Sequence, residues 1–176
     1  MQIRQARLGD YRAIYQLVRQ AFAESRISDG QEQDWIVVQR GKRQYVPQLE
    51  LVAEQNGRLI GHILMTKHET EDSVPSALYL ALLSVSPAFQ GQGVGSALVK
   101  AACAYGAELG YRAAFLVGDP AYYSRFGFRS VAEFGLQNCS ELPDIYVQAV
   151  ELQPDALKDA QGELHLSAQA SQNLQK

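Results

Sequence analysis

Only two cysteines occur in the 176 residues, Cys103 and Cys139. They lie far apart and form no C-x-x-C pair, which argues against a disulfide framework and for a reducing compartment. Basic charge is also scarce. Lys and Arg number 16 against 19 Asp and Glu, the net charge is −3, and the isoelectric point is about 5.6. Such a chain does not bind nucleic acid or an anionic membrane through broad electrostatics; a local basic patch at Lys42-Arg43 stays open. There is no long hydrophobic run. The longest unbroken one, ALYLALL from Ala77 to Leu83, falls far short of the roughly 20 residues a membrane helix needs. The opening MQIRQARLGDYR has no apolar h-region, so no secretory signal is visible and a cytoplasmic protein is expected. No internal repeat and no linker divide the chain. We expect one domain over residues 1–166 and a polar, frayed tail, SAQASQNLQK, over 167–176.

What is present is an ordinary globular composition, 47% hydrophobic and 20% charged, enough for one core. QIRQAR alternates as a strand does. Asp10 is placed as the N-cap of a helix whose face is Ile14, Leu17, Val18, Ala21 and Phe22. Residues 24–48 read as irregular and partly exposed, with a second helix around Asp34–Gln39. The stretch LELVAEQNGRLIGHILM is a hairpin, because Asn56-Gly57 supplies the two positive-φ residues of a type I′ turn. YLALLSV is apolar on both faces and belongs inside a sheet; Pro87 stops it. A helix follows with Val94, Leu98, Ala101, Tyr105 and Leu109 on one face and Gly110 at its end. YRAAFLV is a further strand. Asp119-Pro120 starts a short helix that Gly127 ends, and late strands are expected at Phe128–Val131 and Asp144–Leu152. The order gives a mixed α/β domain of the α+β type.

The stretch AFQGQGVGSAL carries three alternating glycines, Gly91, Gly93 and Gly95, between a buried strand and a helix. Each costs about 0.5–1 kcal/mol relative to alanine if helical, so the bare backbone must serve something. A strand that runs through a glycine loop into a helix N-terminus presents unpaired N–H groups and a partial positive charge to an anion. The loop offers few side chains, Gln90, Gln92 and Val94, before Ser96. Backbone amides must therefore do most of the binding. A bare strand-to-helix turn would need one glycine, not three. The dinucleotide pattern G-x-G-x-x-G fails, because Ser96 or Leu98 stands where its third glycine belongs, and no Gly-Lys-Ser or Gly-Lys-Thr triplet of a Walker loop occurs.

Gln90-x-x-Gly93-x-Gly95 does fit another pattern, Gln/Arg-x-x-Gly-x-Gly/Ala, set after a Leu-x-Val pair that is here Leu83 and Val85. The sequence resembles the GNAT family of N-acetyltransferases. The resemblance continues in Tyr123-Ser-Arg-Phe-Gly127-Phe128, which matches the family's Tyr-x-x-x-Gly-Phe, and the GHILM hairpin with PAYYSRFGF is similar to the YhbS-like bacterial acetyltransferases. It covers about residues 1–152. It implies a single domain with a central mixed β-sheet flanked by helices and splayed at the cofactor strand. It also implies acetyl-CoA as cosubstrate and an amine acceptor. The pantetheine arm would lie along Leu82–Val85, touching Leu83, Ser84 and Val85, with the N–H near Val85 facing the acetyl oxygen. The pyrophosphate would sit on Gln90 through Ser96. Tyr123 matches the position of the general acid, a phenol protonated at neutral pH. Its neighbour Tyr122 is expected at the cofactor and takes the acid role if the helix is turned.

No general base stands out. YLALLSV holds no carboxylate, and Glu24, Glu32, Asp34, Glu54, Glu69, Glu71 and Asp72 each read as solvated charges. The histidines, His62, His68 and His165, have no metal-binding spacing, so no metal is expected; His62 reads as a satisfied strand residue and Cys103 as a buried structural thiol. Two further readings stay open: an acyl-CoA-binding sensor of the same fold without turnover, and a nucleotide-binding α/β domain of another class. The acceptor and the choice between monomer and homodimer are not fixed by the sequence.

Overall fold

A computed structural model describes residues 1–23, 30–68 and 74–166. Strand β1 (Gln2–Gln5) leads into helix α1 (Tyr11–Phe22) and helix α2 (Glu32–Arg40). Strands β2 (Tyr45–Gln55), β3 (Arg58–Lys67) and β4 (Ala77–Val85) follow, then helix α3 (Val94–Glu108), strand β5 (Ala113–Val117) and the short α4 (Pro120–Tyr123). The chain closes with β6 (Arg129–Ser130), β7 (Leu136–Asn138), β8 (Val147–Glu151) and β9 (Gly162–Leu164). Seven strands form one sheet in the order β1-β2-β3-β4-β5-β8-β6. All neighbours are antiparallel except β4 and β5. The tail, residues 167–176, falls outside the described residues.

Both faces of the sheet are covered. On one side Ile14, Leu17 and Val18 of α1 and Ile36 of α2 pack on Val52, Leu64, Tyr79 and Leu82. On the other, Val94, Leu98, Val99 and Ala102 of α3 pack on Leu51, Ile63, Met65 and Leu80. The hairpin turns at Asn56 (φ 53°) and Gly57 (φ 74°), as the Asn-Gly pair requires.

Two irregularities shape the middle of the sheet. In β3, Glu54 pairs with Leu59 but Ala53 pairs with Gly61, so Ile60 is an extra residue. In β4, Leu82 pairs with Leu64 and Leu80 with Met65, so Ala81 is the extra one. Each bulge moves the residues beyond it to the opposite face. Strand β4 then leaves its parallel neighbour. It pairs with β5 only from Ala77↔Ala113 to Tyr79↔Phe115, so the two strands splay over Leu80–Val85.

Several sequence expectations change. Asp10 does not cap α1. Its carboxylate turns back to accept from the Arg7 N–H at 2.8 Å and the Arg4 guanidinium at 2.7 Å, because the helix grows out of a 3-10 turn at Leu8–Asp10. Within 24–48, the described part is more regular than expected: α2 runs nine residues and β2 begins at Tyr45. The buried face of α3 is Val94, Leu98, Val99 and Ala102, while Leu109 is 46% exposed. Residues 144–146 form a 3-10 turn before β8, and β6 has two residues. The parallel pair β7–β9 was not anticipated. Asp119 does cap α4, accepting from the Ala121 N–H at 2.9 Å.

Candidate functional site

The glycine loop ends on a row of free amides. No described group accepts from the N–H of Gly91, Gln92, Gly93, Val94, Gly95 or Ser96; the first helical bond is Ala97 N–H to Gly93 O at 3.0 Å. Six consecutive donors stand at the start of a 15-residue helix, an arrangement suited to an anion. The glycines serve it in two ways. Gly91 (φ 72°) and Gly93 (φ 82°) are left-handed, with open space where a Cβ would stand. Gly95 is buried, and a Cβ there would meet the Tyr122 hydroxyl at 2.6 Å. Gln90 and Gln92 turn back onto the loop, donating to Val85 O at 3.2 Å and Ala88 O at 2.9 Å. The donors that the loop leaves open are those of its backbone.

The strand feeding this loop has an open edge. Ser86 N–H donates to Ile60 O on β3 at 2.9 Å. Strand polar groups alternate sides, so Ser84 also faces β3, and the N–H and C=O of Leu83 and Val85 face the splay. A cleft of ≈ 500 Å³ lies against Leu83, Ser84, Val85 and Gln90, walled by Gln20–Ala23 at the end of α1. The expected residues Leu83, Ser84 and Val85 therefore gather beside the free amides of Gly91 to Ser96.

The two tyrosines of α4 diverge. Tyr122 sends its hydroxyl to Gly95, next to Leu83 and Val85. Tyr123 packs edge-on against Tyr122, Phe126 and Phe128, with ring centroids at 4.9, 6.4 and 5.9 Å. Its hydroxyl makes no hydrogen bond to a described residue. Burial, and then the Tyr122 and Tyr79 hydroxyls, push this phenol well above its ordinary range, so it stays protonated. Burial pushes Tyr79, where β4 and β5 part, up to about 12.

A buried polar cluster lies under α1 and was not anticipated. Glu50 is 0% exposed and accepts from the Arg40 Nε at 3.1 Å, the Tyr45 hydroxyl at 2.6 Å and His62 Nε2 at 3.0 Å. Burial pushes its carboxyl up, but these donors outweigh it and hold the group below the usual carboxylate range. His62 is also 0% exposed, and burial holds it below the usual imidazole value despite Glu50. It is only half satisfied: among the described residues Nδ1 has no hydrogen-bond partner, and neither does the Ser84 Oγ. The signal that points to this cluster is the hairpin register, once the bulge at Ile60 is included.

The remaining candidates fall apart. Glu54 pairs with Arg4 at 2.7 Å, and Asp34 accepts from the Tyr15 hydroxyl at 2.9 Å. Glu32 is half-buried, and its Oε2 has no hydrogen-bond partner among the described residues. Glu24, Glu69, Glu71 and Asp72 lie outside the described residues. Burial pushes the Cys103 thiol up to about 11 and lowers His68 to about 4. Sequence spacing grouped no metal ligands, but the β7–β9 pairing brings ligand atoms of Cys139, Glu163 and His165 within 4.8 Å of one another at the surface. Among the described residues, no helix is long and apolar enough to cross a membrane.

Comparison with known proteins agrees with this geometry. Residues 11–128 match the Acetyltransferase (GNAT) family. The chain is 36% identical over 88 residues to the uncharacterized N-acetyltransferase YjhQ of Escherichia coli K12, covering 49% of each chain. It is 32% identical to the uncharacterized N-acetyltransferase YhbS of the same strain, over 65% of this chain and 69% of that one. The alignment thus spans about half the length of the first of these relatives. The crystal structure of YhbS in complex with CoA superposes with a TM-score of 0.83 at 28% identity, covering 95% of this chain and 89% of that one. A GNAT family acetyltransferase from Brucella melitensis in complex with acetyl-CoA gives 0.77 at 29% identity, covering 95% and 96%. With its splayed β4, its glycine loop opening α3 and a family match over two thirds of its length, the chain belongs to the GNAT family of N-acetyltransferases.

Proposed function

We propose that residues 1–166 form one unit that moves the acetyl group of acetyl-CoA to a primary amine by direct attack on the thioester. One observation carries this reading: the open edge of Leu83–Val85 runs straight into the free amides of Gly91 to Ser96. A pantetheine arm has amides that pair with an open strand edge, and its pyrophosphate is the dianion that a helix N-terminus takes. Two neighbours hold CoA or acetyl-CoA in their crystals. The side chains of Gln90 and Gln92 close the loop, while Tyr122 packs at Gly95, where it lines the cofactor's path.

The chemistry needs three things: a neutral amine, a polarised carbonyl and a protonated leaving thiolate. In this reading the Val85 N–H, on the open edge, donates to the acetyl oxygen as it gains charge. Tyr123 is the acid. Its phenol is held protonated by burial and has no competing hydrogen bond among the described residues. No metal takes part in this scheme.

Calorimetry with acetyl-CoA, NAD and ATP tests the cofactor, and acetyl-CoA with a panel of amines, read by free-thiol release, tests the transfer. We expect acetyl-CoA alone of the three to bind, and at least one amine to release CoA. Binding without release to any amine would make the chain a CoA-binding protein without turnover.

A further inference from the structure

Two buried polar atoms in this core have no partner on adjacent strands. Ser84 on β4 and His62 on β3 are register partners. They form a hydrogen-bonded pair of the antiparallel ladder, with Cα atoms about 5.5 Å apart and side chains on the same face. Ser84 is 3% exposed and His62 0%. Among the described residues, neither the Ser84 Oγ nor the His62 Nδ1 has a hydrogen-bond partner. Leaving two such groups buried is costly, and packing alone does not call for them on register-paired residues.

The tautomer follows from Glu50. An ionised carboxylate only accepts, so His62 Nε2 carries the hydrogen donated to Glu50 Oε1 at 3.0 Å. Nδ1 is therefore a lone pair. Glu50 is anchored by Arg40 and Tyr45, and Tyr45 in turn meets the Tyr11 hydroxyl at 3.3 Å. Arg40 lies over the Tyr11 ring, 3.6 Å from its centroid. Among the described residues, the charged and titratable groups of this cluster are Glu50 and Tyr45 from β2, Arg40 from α2 and Tyr11 from α1. On β4 the register partner of His62 is Ser84, and Ser84 lines the cleft with Leu83 and Val85.

We propose that Ser84 and His62 form a proton relay for the acceptor amine, with Glu50, held by Arg40, as the positioning residue of His62. This rests on the transferase reading above. The ammonium form of the acceptor enters the cleft on the α1 side and gives a proton to Ser84 Oγ as the hydroxyl hydrogen passes to His62 Nδ1. The freed lone pair attacks the thioester carbon. The C–N bond forms, the C–S bond breaks and the thiolate takes one proton. The amine loses two protons in all: the second balances the one the thiol gains, and the first returns from His62 to solvent. Acid and base then lie on opposite faces of β4, the phenols of α4 on the α3 side and the relay on the α1 side.

The test is Ser84→Ala in the full chain, with acetyl-CoA and three amine probes: alanine amide, Nα-acetyl-lysine amide and putrescine. The variant removes an unpartnered hydroxyl, so its melting temperature is expected to equal or exceed that of the wild type. Turnover should fall about 10²-fold at neutral pH, the lower range for losing a proton-transfer group. Without the relay the enzyme depends on amine already deprotonated in solution. The deficit should shrink about tenfold per pH unit toward the amine pKa, whereas acetyl-CoA affinity stays constant. His62→Gln should show the same pH-dependent deficit. Wild-type turnover by Ser84→Ala, or a deficit equal at every pH, would overturn the relay and leave the transferase standing. No transfer by the wild type to any of the three probes would overturn the transferase reading and the relay with it.

Discussion

The hydroxyl of Tyr122 fills the space that a Cβ on Gly95 would need, 2.6 Å from where that atom would stand. This links the tyrosine pair of α4 to the first turn of α3. Gly95→Ala is therefore expected to destabilise the protein by about 1–3 kcal/mol, the usual cost of overpacking. In a Tyr122→Phe background the hydroxyl is gone and the sign should reverse, because alanine is better in a helix by about 1 kcal/mol. A double-mutant cycle in urea reads this coupling. Additive effects would show that Gly95 is needed for another reason.

Arg40 and Glu50 form an ion pair with side chains 10% and 0% exposed. Breaking such a pair from one side strands a buried charge at a cost of about 3–5 kcal/mol. Arg40→Met should lose stability in that range. Arg40→Met with Glu50→Gln should regain part of it, because the amide carries no charge to strand. Urea unfolding of the two variants gives the comparison. Equal losses would mean that Tyr45 and His62 alone suffice to hold the carboxylate.

The buried imidazoles set how stability responds to acid. Burial lowers His62 below its ordinary value and lowers His68 to about 4. The unfolded chain takes up protons below about pH 6.5 while the folded chain does not, so stability is present above that pH and falls as pH drops. Each imidazole contributes a slope of up to about 1.4 kcal/mol per pH unit in this window. Glu50, held below the carboxylate range, adds a further loss once the pH falls below about 4.3. His68→Phe should flatten the slope between pH 6.5 and 5 by up to one imidazole's share, measured by urea midpoints. A slope unchanged by the substitution would show that His68 does not stay neutral in the folded chain.

Gly93 sits at φ 82° with nothing near its missing Cβ. Gly93→Val thus strains the backbone and places a branched side chain where the amides face outward. Acetyl-CoA affinity is expected to fall at least tenfold, about 1.4 kcal/mol. Calorimetry checks it, and unchanged affinity would remove the loop from the cofactor site.

The sequence made the loop legible because its signal is local. Glycine spacing, the Asn56-Gly57 turn and Asp119-Pro120 each act within a few residues, and all three behave as the chemistry of those residues demands. The polar cluster was illegible for a reason that can be named. Counting outward from Asn56-Gly57 with no irregularity pairs His62 with Leu51 and sends His62 and Glu50 to opposite faces. The extra residue at Ile60 shifts the pairing to His62↔Val52, and the two side chains meet. A bulge has no reliable sequence mark. The buried side of α3 is only partly legible for a related reason: Val94 and Leu98 are buried as expected, Ala101 and Tyr105 pack half-buried on the same core, and Leu109 is exposed. Alanines and two glycines lie on every side of that helix, so periodicity alone does not orient it. The β7–β9 pair joins strands of three residues each, too short for alternation to show.

Tyr123 is where the acid role is decided. Its ring packs against Phe126 and Phe128, so Tyr123→Phe keeps the packing and removes only the hydroxyl. That hydroxyl has no partner among the described residues, so stability should be nearly unchanged. Acetyl-CoA affinity should also hold, since the amides from Gly91 to Ser96 are untouched. Turnover should fall by about 10²–10⁴, in kcat and kcat/KM together, which marks an interaction made in the transition state. Burial keeps the phenol protonated beyond its ordinary range, so the deficit should be the same at every pH below about 10. That flat profile separates it from Ser84→Ala, whose deficit shrinks with rising pH. Tyr122→Phe is the comparison. Its hydroxyl touches the first turn of α3, so we expect a change in KM for acetyl-CoA with kcat largely kept. Should Tyr122→Phe lose kcat while Tyr123→Phe keeps it, the acid is the phenol at Gly95. If both keep it, solvent protonates the thiolate and neither tyrosine is an acid.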